Sequence, residues 1–284
     1  MIRLLLFNSW VAHGHVGAQA QIFPLQRLGA EVALVATVRF SNHPGYGNFQ
    51  GEITAPAEIA ALTEGLSAIG ALAGLAGVLS GYLGSAETAR AVLAALARAT
   101  AESPGALYAC DPVIGDHGRV YVRPGIAALL AEKALPMADL ITPNLFELGL
   151  LHGAPVTCFD DAREAARALS ARLRPNGPRL VLATGLTLAE TPPDAIDCVL
   201  VDEDSCFRVR TPKLPLAASG AGDLAAALFF LEFLRARNGP AALAAMAARL
   251  FAVLSASGDA RELALIAAQD ALAAPRQSFA PEPC

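Results

Sequence analysis

Short runs of apolar residues alternate with longer amphipathic stretches along most of the chain. A strand that is apolar on both faces is stable only in a sheet covered on both sides. RLLLF (3–7), EVALVAT (31–37), GVLSGYL (77–83), ALYACDPV (106–113), DLITPN (139–144) and RLVLATG (179–185) are short, rich in Leu and Val, and expected to be buried strands. Between them, SAETARAVLAALARATAE (85–102) and DDAREAARALSARLR (160–174) carry apolar residues on one face and charges on the other. Crossover units of this kind predict an α/β fold, a three-layer α/β/α sandwich around a mostly parallel central sheet. Beyond Gly185 the pattern changes. DCVLVD (197–202) and CFRVRTP (206–212) flank a polar turn and predict an antiparallel pair at one sheet edge. AALAAMAARLFAVLSA (241–256) and ARELALIAAQDALA (260–273) predict a helical final third, and PRQSFAPEPC (275–284) an exposed terminal segment.

The 284 residues suit one large α/β domain, residues 1–284. The opening MIRLLLFNSW is too short for a signal segment and reads as the first buried strand. The uncharged stretch from Gly65 to Ala86 is rich in Gly and Ser, which suits a helix end followed by a strand better than a membrane span. A net charge of -5 without a Lys/Arg block excludes nucleic acid and anionic membranes as main partners, so any phosphate must be held locally. Five cysteines without metal-type spacing point to a reduced, cytoplasmic setting.

In open parallel sheets, ligands bind beyond the carboxyl ends of the strands, which gives weight to polar residues just after a strand. Asn8 and Ser9 follow the first strand, Asp111 and Asp116 follow ALYAC, Thr142, Asn144 and Glu147 follow DLI, and Thr184 with Gly185 follow RLVLA. SGAGDLAAALFF (219–230) then sets Gly220, Ala221, Gly222 and Asp223 at the start of an apolar helix. Each has a purely structural reading. Asn144 and Glu147 form a capping box, Asp111 before Pro112 marks a turn, and Asp223 suits a helix start. His13 and His15 have no acidic partner at ligand spacing, and GHVG (14–17) lacks the spacing of a dinucleotide fingerprint. Together, however, carboxylates and a glycine turn converge on one predicted face. Such a set can hold a divalent cation through oxygen ligands and water, and the helix-start amides can stabilise a transferring phosphoryl group. The implied chemistry is phosphoryl transfer, without a Walker GxxxxGK[ST] motif or the protein-kinase motif set.

The ordered segments GHVG…FPLQRLGAEV, FSNHPGYGNFQG, LSGYLGSAE, CDPVIGD, ADLITPNLFEL, SGAGDLAAALFF and ELALIAAQDALA resemble the pyridoxal kinases of the ribokinase-like superfamily, nearly end to end. This resemblance implies a ribokinase-like fold and ATP-dependent phosphorylation of the 5′-hydroxymethyl group of pyridoxal, pyridoxine or pyridoxamine in vitamin B6 salvage. It makes Asp223 the base and the backbone amides of Gly220, Ala221 and Gly222 the anion hole. Asp111, Asp116, Thr142, Asn144, Glu147, Thr184 and Gly185 match positions that handle ATP, with Asp111 and Glu147 toward Mg²⁺. Ser9, Val16, His43 and Tyr82 match the vitamer pocket. ATP and Mg²⁺ are implied, a monovalent cation such as K⁺ is left open, and a homodimer with a flap over the nucleotide is expected.

The chain departs from many relatives at Trp10, at Ala18 and at Pro44, and GRVYVRPG (118–125) lacks the Cys that some members direct at the substrate aldehyde. Two other readings stay open. Hydroxymethylpyrimidine kinases share the fold and chemistry but usually place Cys where Asp223 stands, and a non-catalytic binder of vitamer or ATP would need no turnover. TLAETPPDAID (187–197) reads either as a mobile loop over the nucleotide or as an ordinary connection.

Overall fold

Leu4, Leu5, Leu6 and Phe7 are all essentially inaccessible to solvent, so the first strand is covered on both faces, as its unbroken apolar run requires. The structure is a computed structural model that describes residues 1–215 and 217–284. Its strands are β1 (Ile2–Val11), β2 (Ala30–Phe40), β3 (Gly51–Ile53), β4 (Gly77–Ser80), β5 (Leu107–Cys110), β6 (Gly115–Asp116), β7 (Arg119–Val120), β8 (Leu140–Ile141), β9 (Leu180–Leu186), β10 (Ala195–Val201), β11 (Cys206–Pro212) and β12 (Glu282–Pro283). The α-helices are α1 (Ala18–Arg27), α2 (Pro56–Ala68), α3 (Ala86–Glu102), α4 (Ile126–Leu129), α5 (Leu145–His152), α6 (Phe159–Ser170), α7 (Ala221–Ala236), α8 (Gly239–Ser257) and α9 (Gln269–Ala273).

Ten strands form one sheet in the order β12-β11-β10-β9-β8-β5-β4-β1-β2-β3, and β6 and β7 form a separate hairpin. The six strands from β9 to β2 in that order run parallel. Alternation along β1 divides the core. Leu5 and Phe7 face a layer containing Ile59 of α2, Val92 of α3, Leu148 of α5 and Ala165 of α6. Leu4 and Leu6 face the other layer, with Leu25 of α1, Leu228 of α7 and Leu243 of α8. The three-layer α/β/α architecture follows. The apolar stretch at 65–86 divides between the end of α2 and β4, and α8, long and apolar enough to cross a membrane, packs on α7.

Several sequence expectations change in detail. Antiparallel strands occur at both sheet edges, β3 beside β2 as well as β10–β12 beyond β9. The terminal segment is exposed or half-buried throughout, as expected, but it is docked: β12 pairs with β11 and the Phe279 ring packs edge-on against Phe251 at 5.0 Å. ARELALIAAQDALA is helical only from Gln269 to Ala273. Leu263 and Leu265 are buried from a turn segment, so their apolar spacing serves core contact and not a helix face. β4, β5 and β8 are shorter than their apolar runs, since the residues that follow leave the sheet for the loops at its carboxyl end. Within residues 187–197 the Leu188 N–H donates to Thr191 Oγ1 at 3.1 Å, and Thr191 Oγ1 donates to Asp197 Oδ2 at 2.8 Å.

Asp139 joins three parts of this framework. Its carboxylate, 1% exposed, accepts from the Tyr108 N–H at 2.8 Å and from Arg174 Nε at 2.8 Å. Asp139→Ala removes these acceptors and leaves the buried Tyr108 N–H without a partner. We expect a loss of about 3 kcal/mol, measured as a lower urea midpoint with an unchanged slope.

Candidate active site

The chain passes from β1 to one side of the sheet and later returns to the other through β4, so the crevice between β1 and β4 is a topological switch point. Asn8 sits there, fully buried, where the β1–β2 register shifts between Asn8 and Ser9. Its Oδ1 accepts from the N–H groups of Ser9 at 2.8 Å and Tyr82 at 3.0 Å, bridging the crevice. Its Nδ2 donates to Gln21 Oε1 at 3.1 Å and to Asp223 Oδ1 at 3.0 Å. Asp223 Oδ2 accepts from the Gly17 N–H at 2.9 Å, and Gln21 Nε2 donates to the Asp223 carbonyl at 3.1 Å. Both oxygens of the Asp223 carboxylate are therefore held in place, and the group lies in the first turn of α7.

Two glycines make this close approach possible. Gly17 has φ +57°, and a Cβ there would lie 2.0 Å from Ser9 Oγ. Gly220 has φ +94°, and a Cβ there would lie 2.1 Å from the His15 carbonyl oxygen. Gly220 is the cap residue of α7, accepting the Leu224 N–H at 3.0 Å, so the four amides ahead of the first intrahelical bond are those of Gly220, Ala221, Gly222 and Asp223. The expected set of Gly220, Ala221 and Gly222 lies within this helix start.

On the other side of Asp223, Thr142 Oγ1 donates to Asp111 Oδ1 at 2.9 Å. Glu147 closes the capping box of α5 with Asn144, and Asn144 Nδ2 donates to the Gly115 carbonyl at 2.8 Å. Thr184 joins this group through a bridge to Asn144, and Gly185, at φ +66°, follows it on the exposed side. Glu147 Oε1 accepts from the N–H groups of Ile114 at 2.8 Å and Gly115 at 3.3 Å, and Oε2 from Asn144 at 3.0 Å. Asp116 lies exposed on the β6–β7 hairpin, opposite Arg119, where its carboxylate accepts from the His117 N–H at 2.7 Å and its charge adds to the rise at Glu147.

Burial pushes the Asp111 carboxyl well above the usual range, and the charges of Asp223 and Glu147 push it further. Burial also raises Asp223, against the opposing effects of the Gly17 N–H, the Asn8 amide and His43. Glu147 is pushed up to about 7, mainly by burial, although three N–H groups favour its ionised form. Among the described residues no Lys or Arg forms an ion pair with Asp111, Glu147 or Asp223. These acids repel one another in a low-dielectric setting and would gain from a bound cation.

A cleft opens beside this network, lined by Val16, His43, Tyr46, Ser219, Arg261 and Glu262 among others. His43 Nδ1 accepts the Gly45 N–H at 3.2 Å, which assigns the neutral ring with Nε2–H as the remaining donor; burial lowers its pKa. Ser9 lies beneath Gly17, and Tyr82, half-buried, has its phenol pKa raised by burial. The structure thus gathers Ser9, Val16, His43, Tyr82 and Asp223 around the crevice. Gln21, Tyr46, Arg261 and Glu262 join the site without a sequence signal that marks them, and Asn8 shows in the sequence only as a polar residue at a strand end. A buried Gln on an amphipathic helix carries no local signal, and Glu262 lies in what reads as an ordinary helix.

A model of the phosphomethylpyrimidine kinase family matches residues 17–255. A curated pyridoxal kinase of Deinococcus radiodurans is 48% identical over 284 residues, covering 98% of this chain and 95% of its own. One from Granulibacter bethesdensis is 41% identical and covers 100% of both chains. Among solved structures, pyridoxal kinase from Leishmania donovani in complex with ADP and pyridoxamine superposes with a TM-score of 0.90 at 30% identity, covering 99% of both chains.

Proposed function

Because the chain belongs to the phosphomethylpyrimidine kinase family and, within it, to the pyridoxal kinases, we infer that it transfers a phosphoryl group from ATP to the 5′-hydroxymethyl group of a vitamin B6 vitamer. It is a phosphotransferase, and its product with pyridoxal is pyridoxal 5′-phosphate, the outcome of B6 salvage. The observation that carries the residue roles is Asp223, with both carboxylate oxygens held at the start of α7 beside two further acids.

In this reading the acceptor hydroxyl lies against Asp223, which takes its proton as the new P–O bond forms. Asn8 and Gly17 aim the carboxylate, and burial makes it a stronger base than an exposed Asp. The amides of Gly220, Ala221 and Gly222, with the positive end of the α7 dipole, stabilise charge on the transferring group. Ser9, Val16, His43 and Tyr82 hold the vitamer ring, with His43 Nε2–H as a donor. Thr142, Asn144, Thr184 and Gly185 border the nucleotide, and Asp116 takes part only from the rim.

The donor set fits Mg²⁺ held partly through water. Among the described residues no group of three His, Cys, Asp or Glu side chains is arranged to hold a metal, and Mg²⁺ commonly keeps several waters and uses one or two carboxylates with substrate phosphates. Asp111 would be the nearer carboxylate; Glu147 already accepts three N–H groups and would act through water. When bound, Mg²⁺ neutralises charge on the phosphates. We further propose a homodimer working in the cytoplasm, a setting supported by five free cysteines.

The purified protein is to be assayed with ATP, Mg²⁺ and, in turn, pyridoxal, pyridoxine, pyridoxamine and hydroxymethylpyrimidine. Phosphorylation of a B6 vitamer in preference to hydroxymethylpyrimidine is expected. Preference for hydroxymethylpyrimidine would move the chain to the rival kinase reading, and binding without turnover would make it a vitamer-binding protein.

A further inference from the structure

Glu262 is not needed for phosphoryl transfer in the reading above, yet it makes two of the shortest hydrogen bonds around the cleft. Its Oε2 accepts from the His15 N–H at 2.6 Å, and its Oε1 accepts from the Tyr46 hydroxyl at 2.6 Å. The two donors belong to separate parts of the site. His15 lies in the turn before α1, in which Gly17 aims Asp223 and the His15 carbonyl packs against Gly220. Tyr46 lies in the loop between β2 and β3, which carries His43. The neighbouring Arg261 adds a second tie. Its guanidinium lies 3.7 Å from the centre of the Tyr46 ring, and its Nη2 donates to the Gly45 carbonyl at 2.7 Å.

Among the described residues the other side-chain contact between this loop and the turn is the His13 ring, edge-on to Tyr46 at 6.1 Å, which is a weaker tie than a hydrogen bond. Asn42, His43 and Ser41 make hydrogen bonds within the loop, through Asn42 Nδ2 to the Asn48 carbonyl at 2.9 Å and the Gln50 N–H to Ser41 Oγ at 2.9 Å. These shape it but do not fix its distance from Asp223. Beyond Phe40, the backbone tie to the turn is the His13 N–H to the Ser41 carbonyl at 2.9 Å. The Glu262 carboxylate spans the remaining gap, and both it and Tyr46 line the cleft.

We propose that Glu262, acting through Tyr46 and steadied by Arg261, is a positioning residue for the vitamer: it latches the His43 loop to the turn that aims the base. The proposal rests on the kinase reading for its substrate, while the latch is a property of the chain itself. A carboxylate is required because it only accepts, so it can serve an N–H and an O–H at once. A glutamine offers one oxygen and would turn an NH₂ toward the other donor. Each lost arm frees the loop to sample positions in which His43 no longer meets the ring, so the vitamer binds less well while the nucleotide side is unaffected.

The test pairs Glu262→Gln with Tyr46→Phe, which keeps the ring under Arg261 and removes only the hydroxyl. Steady-state kinetics should show the KM for the vitamer rising roughly tenfold, as expected for losing one charge-assisted hydrogen bond, with the KM for ATP within about twofold of the parent. The double variant should be no worse than the poorer single one, because both break the same tie. Hydrogen exchange should accelerate at residues 41–50 and not in the β1–β4 core. Unchanged exchange in the loop, an unchanged vitamer KM, or additive effects of the two substitutions would overturn the proposal. Should the parent protein phosphorylate no vitamer, the kinase reading fails, and the exchange comparison alone still decides whether Glu262 holds the loop.

Discussion

Asp223→Asn is expected to lower turnover by about 10²- to 10⁴-fold, the range for losing a general base, in a protein that still folds. The side chains have the same shape, so the substitution removes charge and basicity without opening a cavity. Two effects on stability oppose each other. The carboxylate accepts from both Gly17 and Asn8, whereas an amide has one oxygen and must direct its NH₂ at one of these donors, a cost of about 1–3 kcal/mol. Against this, removing the charge relieves the repulsion that helps raise the Asp111 carboxyl. The net stability change is therefore smaller than the loss of activity, and thermal unfolding followed alongside turnover separates the two. Near-normal turnover would leave Asp223 the role of a helix-start residue that organises Asn8 and Gly17.

Gly220→Ala is expected to abolish measurable activity. A Cβ at this position would overlap the His15 carbonyl oxygen at 2.1 Å, a contact with backbone that no rotamer change relieves. The φ of +94° adds strain for any residue with a Cβ. The start of α7 must move away from the His15 turn, which displaces the amides that would face the phosphoryl group and the carboxylate that depends on Gly17. Loss of one such donor already costs about 10²- to 10³-fold in turnover, and here the whole group shifts. Gly222→Ala is the comparison for folding. An added Cβ there meets no heavy atom within 4 Å, so that variant should unfold at the temperature of the parent. If Gly220→Ala keeps parental activity, the close packing of the two turns is not what positions the site.

The architecture was legible because burial on two faces leaves a mark along the chain itself. Leu4 to Phe7 can be apolar without interruption only in a covered parallel strand, and α3 and α6 show one apolar face because the other meets water. The rule that ligands gather beyond the carboxyl ends of parallel strands then located Ser9, Asp111, Thr142, Glu147 and Asp223 in one region. Local patterns misled where burial and periodicity part company. ARELALIAAQDALA has helical spacing, but Leu263 and Leu265 reach the core from a turn, and Glu262 is drawn away to meet Tyr46. The terminal segment is exposed as expected, but its pairing with β11 was not legible, because a two-residue edge strand has no pattern to read.

By itself, then, the sequence determined a sandwich built on parallel strands, the end of the sheet at which polar residues gather, and a glycine turn leading into a helix with an acid in its first turn. Local periodicity, backbone freedom and capping act over a few residues and leave signatures there. Tertiary structure alone decided what that acid meets. Asp223 meets Asn8 across 215 residues and Gly17 across 206, and Glu262 meets His15 across 247. Contacts between such distant residues depend on how strands and helices pack, and no window of sequence contains both partners.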